Sequence, residues 1–383
     1  MVQQWTPELI SHVTELAQAA GFKRCGVAAA HAAEHPEAAE TAARFSDWID
    51  KGRAGEMAYL ARRDEAGELL RRSAQVAMPW ARSVIVCALN YNAEGPLSID
   101  AADAGAGWIA RYAWLGDAAG RATDYHTELL QRLKKVEAEL HALTGCESKS
   151  YVDTGPLLER DFAARAGLGW VGKNTCVLNQ ELGSWLLLGV IVTSLEWPQS
   201  VPVIEAADRC GSCTRCIDAC PTDALVAPRE MDASLCIAYL TIEKKGSIAE
   251  ELRGQMGRQV FGCDICQDVC PWNRRALKGA LPGMTARAEL VNPALEWLAG
   301  LDHAGFRAQF KGSPLERTKR GRVQRNVAIA MGNSGEAKFQ TQLQAWAQGQ
   351  DAVLAEAARW ALAQPVRVQT AAGDTAGAES GNE

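Results

Sequence analysis

The sequence predicts an α+β chain organised in three folded blocks. Helix-spaced and strand-like apolar runs alternate over residues 1–200. Eight of the twelve cysteines fall between Cys210 and Cys270. The stretch 283–365 reads as helix. A chain of 383 residues exceeds what one hydrophobic core usually serves, so several domains are expected.

The first block, 1–200, opens with Leu9, Ile10, Val13, Leu16 and Ala17 at helix spacing. SVIVCAL (83–89) reads as a strand. Thr127–Leu143 reads as a second helix, with Leu129, Leu130, Leu133, Val136, Leu140 and Leu143 on one face. Thr175–Leu178 and Trp185–Thr193 are further strand candidates. Such alternation implies an α/β or α+β domain. Residues 93–107 and 115–123 are rich in Gly, Ala and Asp and read as exposed loops. The second block, 201–282, is loop-rich with little core of its own, so metal clusters are expected to supply folding energy. In the third block, Arg325-Asn-Val-Ala-Ile-Ala is echoed at Arg359-Trp-Ala-Leu-Ala-Gln, which suggests stacked helical hairpins of HEAT-like spacing. The tail, 366–383, is small, polar and Gly-rich, and is expected to be disordered.

The net charge of −6 argues against a protein that coats nucleic acid non-specifically, although a local basic surface is compatible with it. MVQQWTPELI has no basic region ahead of an apolar stretch, so no secretory leader is expected. The longest apolar run, Leu182–Leu195, is interrupted and too short for a span. A cytoplasmic protein with reduced thiols is expected, and clustered cysteines there mean metal before disulfide.

The first cysteine run is Cys210-x2-Cys213-x2-Cys216-x3-Cys220-Pro221. The second is Cys236, then Cys263-x2-Cys266-x3-Cys270-Pro271. In two-cluster ferredoxins the fourth cysteine of such a run ligates the other cluster. One 4Fe-4S cluster would then take Cys210, Cys213, Cys216 and Cys270. The other would take Cys236, Cys263, Cys266 and Cys220, with 237–262 looped out between its ligands. Two four-thiolate zinc sites are the alternative, and those generally use paired CxxC knuckles. Cys25, Cys87 and Cys176 sit among apolar neighbours and read as small core residues.

Asp153 follows a short apolar stretch and precedes Thr-Gly-Pro, which places a carboxylate at a strand end before a turn. An acid there can protonate a leaving oxygen if burial raises its pKa. A turn or helix N-cap aspartate is the other reading. Gly167, Gly169 and Gly172 around Trp170 make a loop that could approach a large cofactor, without the strand–GxGxxG–helix context of a dinucleotide site.

The whole series is RYAW (111–114), DYH (124–126), VDTGPLLER (152–160), AGLGWVGKN (166–174), GSWLLLG (183–189), CGSCTRCIDACPTDAL (210–225), CIAYLTIE (236–243) and FGCDICQDVCPWN (261–273). Over about residues 5–335 the chain resembles the epoxyqueuosine reductases, iron–sulfur and cobalamin enzymes of queuosine biosynthesis. The resemblance implies an N-terminal cobalamin-binding α/β domain related to reductive dehalogenases, then a ferredoxin-like domain with two 4Fe-4S clusters, then HEAT-like tRNA-binding helices. It implies reduction of the epoxide of epoxyqueuosine, at the wobble position of a tRNA anticodon, to queuosine. Electrons would pass through the clusters to cobalamin, and a carboxylic acid would protonate the departing oxygen. That acid carries over to Asp153, and a corrin-walled cavity would keep it partly protonated. Arg62, Arg111, Tyr112, Asp153, Lys173, Asn174 and Ser184 are the expected cobalamin contacts. The link Leu115–Thr123 looks longer than the family's usual one, so no role is carried onto Ala113.

A tRNA substrate makes a phosphate track of the basic run Lys311, Arg317, Lys319, Arg320, Arg322 and Arg325, which alone would read as a charged helix face. The expected partners are tRNA bearing epoxyqueuosine and an electron donor such as flavodoxin or ferredoxin, with no membrane and a monomeric enzyme. One rival reading is another cobalamin and iron–sulfur reductase, such as a reductive dehalogenase. A second is an electron carrier, which would have no use for a large domain ahead of its clusters. His126 is left without a role.

Overall fold

The computed structural model describes residues 4–198, 206–279 and 283–367. Among these residues no helix is long and apolar enough to cross a membrane.

The first block runs α1 (Pro7–Ala19), β1 (Arg24–Ala29), α2 (Pro36–Asp50), the single turn α3 (Ala74–Ala77), β2 (Ser83–Asn90), β3 (Trp108–Ile109), β4 (Leu115–Asp117), α4 (Tyr125–Thr144), β5 (Ser148–Tyr151), α5 (Glu159–Arg165), β6 (Trp170–Val171), β7 (Val177–Leu178) and β8 (Leu186–Thr193). Thr6 caps α1 through its side chain, with Pro7 at the first helical position, where a missing N–H costs nothing. The central sheet has the order β1-β2-β8-β5, and all three of its ladders are antiparallel. This corrects the α/β expectation for the block to α+β. Alternating helix and strand patterns do not report ladder direction when long irregular connections intervene.

Every residue of β2 is buried, because both faces of the sheet are covered. Ile85, Cys87, Leu89 and Ile191 pack with Val13, Ala17, Leu129 and Leu133 of α1 and α4. The alternate residues Val84, Val86, Val190 and Val192 pack with Phe162 and Ala163 of α5. Side chains that alternate across a strand thus serve two cores.

The cysteine-rich segment holds the short helices α6 (Arg215–Asp218), α7 (Ile237–Ile242) and α8 (Glu250–Arg253), the strand β9 (Gln259–Phe261) and the helix α9 (Ile265–Asp268). The stretch expected to loop out, 237–262, is therefore folded, and it buries Ile237, Leu240, Ile248, Met256 and Val260. The last segment adds β10 (Met284–Ala286), α10 (Leu295–Gly300), α11 (His303–Phe310), α12 (Pro314–Ser334), α13 (Gln340–Ala347) and α14 (Ala352–Leu362). The two echoed stretches meet: Gly332 of α12 lies against Ala361 and Trp360 of α14, where a Cβ would be 2.8 Å from Ala361.

The first block does not stand apart from the rest. β3 pairs in parallel with β9, and β4 pairs with β10. The expected exposed loop 115–123 instead starts as a strand with buried Leu115 and Gly116, and Gly116 bridges to Ala122. Trp108, Ile109 and Trp114 share one core with Phe261, Leu295, Phe310, Val327 and Ala358. Most of the expected disordered tail lies outside the described residues.

Candidate active site

Asp153 stands just past the end of β5 with a left-handed backbone, φ 56°. Aspartate tolerates that region better than most side chains. Its carboxyl is turned outward, with 69% of the side chain exposed. Two elements hold it. Glu159, first residue of α5, accepts the Asp153 backbone N–H at 2.9 Å. From α4 comes His126, whose Nε2 lies 3.6 Å from Asp153 Oδ2. Tyr125 donates its hydroxyl to the same oxygen at 3.4 Å.

His126 is itself fixed. Asp124 caps α4, and its Oδ1 accepts the His126 backbone N–H at 3.0 Å and lies 2.7 Å from the ring Nδ1. The Tyr125 ring lies 3.9 Å from the imidazole, centroid to centroid, and meets Tyr112 edge-on at 5.7 Å. Arg317, near the start of α12, completes the cluster. It donates to Asp124 Oδ2 at 2.8 Å and reaches His126 Nε2 at 3.1 Å. Beyond it, α12 leaves helical geometry at Lys319 (φ 63°, ψ 152°) before resuming.

The carboxyls divide in character. The His126 imidazole beside it holds Asp153 below the usual aspartate range, against the opposing effect of burial, with Arg160 and Arg317 adding to the depression. Glu159 is pushed up to about 8, by burial first and by the neighbouring Asp153 charge second. The carboxyl expected to be raised was Asp153. With only protein around it the reverse holds, because an imidazole faces Asp153 while Glu159 is buried beside a like charge. His126 is held above its ordinary value: burial lowers it, but Asp124 and Asp153 more than offset that.

Side chains link Asp153 toward the cysteines. Arg160 donates to the Thr175 carbonyl at 3.0 Å, and its charge acts on Asp153, Glu159 and Cys176. Cys176 lies beside Cys266. Tyr59, 45% exposed, and Arg71 lie on the same side, each within the field of Asp153.

All twelve cysteines are free thiols, and the eight in the two runs form two groups. Cys216 is pushed up by burial and by Cys210 and Cys213; Cys270 is pushed up to about 11 by burial and by Cys210 and Cys216. Cys263 feels Cys236 and Cys220, and Cys266 feels Cys263 and Cys236. Cys270 thus lies near Cys210 and Cys216, and Cys220 lies near Cys263. The groups are looser than a single ion would draw them: among the described residues no three such side chains close on one metal position. Trp170 packs against Cys270 and Cys210, and its buried indole N–H has no partner among the described residues. A sulfur-rich cluster would supply the missing acceptor, so the residues fit the group.

Family models agree with this division. Residues 209–273 match a 4Fe-4S double cluster binding domain, and residues 71–154 match the family described as epoxyqueuosine reductase QueG, DUF1730. The epoxyqueuosine reductase of Xanthomonas campestris is 36% identical over 358 residues, covering 92% of this chain and 95% of that protein. The chain belongs to the epoxyqueuosine reductase family. The Escherichia coli K12 member is 34% identical over 97% of this chain and 90% of its own length. A crystal structure of an epoxyqueuosine reductase with an epoxyqueuosine-modified tRNA-Tyr stem loop superposes with a TM-score of 0.79 at 28% identity, covering 93% of this chain and 89% of the other. A Bacillus subtilis epoxyqueuosine reductase, with its aspartate-bearing catalytic loop swung out of the active site, gives 0.77 at 27% identity, covering 92% and 89%.

Within this family fold, the side chains expected to touch cofactor or RNA separate into two sets. Asp153, Arg62, Lys311, Arg317 and Lys319 are exposed, and Tyr112, Lys173 and Arg320 are half-buried. Lys173 spans to the cluster loop, donating to the Gly211 carbonyl at 2.7 Å, and Arg320 donates to the Leu301 carbonyl at 2.8 Å. The remaining five have other work. Arg111 is fully buried, lies 4.9 and 4.8 Å over the rings of Trp114 and Trp185, and donates to the Ala93 and Pro96 carbonyls. Asn174 donates to the Cys266 carbonyl, and Ser184 to Gln267 at 2.9 Å; both are buried. Arg325 is buried and donates to the Leu240, Lys244 and Gly246 carbonyls, while Arg322 donates to those of Ile242, Glu243, Thr318 and Arg317. These placements share one cause. A guanidinium or amide carries enough donors to satisfy irregular backbone, so a polar residue in a motif can be framework. Sequence reasoning missed Asp124, His126 and Glu159. The first two could be read from Asp-x-His at the start of a helix, where an N-cap carboxylate meets a side chain two residues on.

Proposed function

We propose that this chain reduces the epoxide of epoxyqueuosine, at the wobble position of a tRNA anticodon, to the alkene of queuosine. The observation that carries this reading is Asp153: an outward carboxyl on a left-handed turn, tied to Glu159 and His126, and linked through Arg160 and Cys176 to a cysteine group. An acid and an electron path thus meet in one open site. The relative bound to an epoxyqueuosine-modified stem loop supports the RNA substrate.

Two 4Fe-4S clusters are assigned to Cys210, Cys213, Cys216 and Cys270, and to Cys220, Cys236, Cys263 and Cys266. The exposed Tyr59, within the field of Asp153, and the exposed Arg62, near Arg71, suit a large planar cofactor, and cobalamin is the one proposed. When bound, it supplies low-valent cobalt as the nucleophile for the epoxide carbon. The protein then does the acid work. Asp153 would deliver one proton to the epoxide oxygen as the ring opens; the resulting hydroxyl would take a second proton, drawn from solvent, and leave as water, with the two electrons coming from the reductant through the clusters. Tyr125 and His126 hold the carboxyl oxygen that faces them, and Glu159 holds the loop. The exposed Arg307, Lys311 and Lys319, with Arg121 across a groove from Arg307 and Lys311, offer charge to RNA phosphates. We assign residues 1–200 to cobalamin, 201–282 to the clusters and 283–365, as HEAT-like helices, to tRNA, in a monomeric cytoplasmic enzyme served by flavodoxin or ferredoxin.

The test is direct. Anaerobic protein is reconstituted with iron, sulfide and cobalamin, and given a strong reductant with RNA carrying epoxyqueuosine. Nucleoside mass spectrometry should show loss of a single oxygen. Clusters and cobalamin that load while the epoxide persists would overturn the substrate assignment.

A further inference from the structure

His126 carries two contacts that cannot both be hydrogen bonds from the same protonation state. Arg317 Nη1 lies 3.1 Å from Nε2, and a guanidinium has donors only. That contact needs a lone pair on Nε2, which puts the ring proton on Nδ1, toward Asp124 at 2.7 Å. Yet Asp153 Oδ2 lies 3.6 Å from the same Nε2, and a carboxylate there calls for an N–H. The charged and polar groups facing the imidazole are Asp124 and Tyr125 from the start of α4, Asp153 from the turn after β5, and Arg317 from α12. Two of these elements ask for opposite states of one nitrogen.

Resting on the reading that RNA is the substrate and Asp153 its acid, we propose that Arg317 gates the proton supply of Asp153. Docked, it competes with a proton for the lone pair of His126 Nε2. Drawn onto a phosphodiester of bound RNA, it leaves His126 to carry a proton between Asp124 and Asp153.

The exchange conserves charge. With Arg317 docked, the carboxylates of Asp124 and Asp153 face a guanidinium and a neutral imidazole. With Arg317 gone, solvent protonates Nε2, and imidazolium replaces guanidinium as the cation beside Asp124, whose side chain is only 13% exposed. The proton on Nε2 can then pass to Asp153 Oδ2, giving neutral imidazole and a carboxylic acid with no change of oxidation state. Leaving the dock is easy. The Arg317 side chain is 51% exposed, and an ion pair of that kind is weak. A phosphate offers its fork a stronger partner. Lys311 and Lys319, exposed on either side of it in sequence, would bring one there. Arg317 lowers the proton affinity of His126, so withdrawal works in the proposed direction.

The gate is tested by ¹⁵N NMR of histidine-labelled, fully reconstituted enzyme, with H126Q used to assign its signal among the six histidines. Adding an epoxyqueuosine-bearing stem loop without reductant should raise the His126 titration midpoint by about one pH unit. R317M should show the raised midpoint without RNA and no further rise with it. R317Q, which keeps donors without charge, serves if R317M does not fold. An RNA-induced rise of the same size in the Arg317 variant would overturn the gate. So would an unmoved midpoint in wild-type enzyme that binds and reduces the RNA, and in that case the functional reading would stand. Failure of wild-type enzyme to reduce the RNA would overturn that reading and the gate with it.

Discussion

The backbone N–H of Asp153 donates to the Glu159 carboxyl at 2.9 Å, so the outward acid hangs from a second carboxyl that burial keeps largely neutral. Glu159 rises from 4.5 to about 8 on folding. A group raised on folding gives stability that is whole below its unfolded value and lost as pH climbs through its folded one. Glu159→Gln is neutral at every pH and can still accept the Asp153 N–H. In urea melts it should match wild type near pH 4 and exceed it near pH 9 by about 2–4 kcal/mol, discounted for partial solvent access. Equal differences at the two pH values would refute this role. Glu159→Ala should instead lower stability by about 1–2 kcal/mol at neutral pH, because it strands the Asp153 N–H.

Asp153→Asn separates the proton from the scaffold. Asparagine tolerates the left-handed backbone at this turn, so the loop should keep its path. Its amide cannot donate as a carboxylic acid does. Cluster and cobalamin absorbance should be unchanged while turnover falls by at least about 100-fold, the low end of what general acids contribute. Turnover near wild type would move the acid to another residue.

How much of this was legible beforehand depended on whether the spacing carried its own geometry. CxxCxxCxxxCP carries one: the x3 step and proline imply that Cys220 and Cys270 serve the opposite group, and the closeness of Cys270 to Cys210 and of Cys220 to Cys263 supports that reading. The strand cores of β2 and β8 and the long α4 were readable from apolar period. The antiparallel ladders were not, because pattern reports burial and leaves direction open. Nor was the fate of each arginine. Arg317 and Arg325 share one basic run, yet Arg317 is exposed beside His126 and Arg325 is 1% exposed. Only the break at Lys319 turns them to different neighbours. His126 stayed unassigned because a lone histidine carries no partner in its spacing, and its partners come from three separate elements.

Trp170 gives a test of the first cluster that does not depend on turnover. Its buried N–H has no protein acceptor among the described residues and sits against Cys270 and Cys210. Hydrogen bonds to cluster sulfur raise the reduction potential. Trp170→Phe removes that donor and keeps most of the packing with Trp272, 5.2 Å away. Iron content should be unchanged, and EPR-monitored titration should show one cluster's midpoint fall by something on the order of tens of millivolts. An unmoved midpoint with full iron loading would mean that the indole serves packing alone.

The basic run on α12 supplies a paired test of surface against framework. Lys311 and Lys319 are exposed, and neither has a protein hydrogen-bond partner for its side chain among the described residues. Reversing both to Glu should weaken stem-loop binding roughly 10-fold or more and flatten its salt dependence, with the melting temperature nearly unchanged. Arg325 answers oppositely. Its guanidinium ties α12 to the carbonyls of Leu240, Lys244 and Gly246. Arg325→Met leaves those acceptors unsatisfied and should cost about 2–4 kcal/mol of stability. Stem-loop affinity of the fraction that remains folded should stay near wild type. Were Arg325→Met to lose RNA binding at full stability, the guanidinium would have to reach phosphate after all, and α12 would have to open to let it.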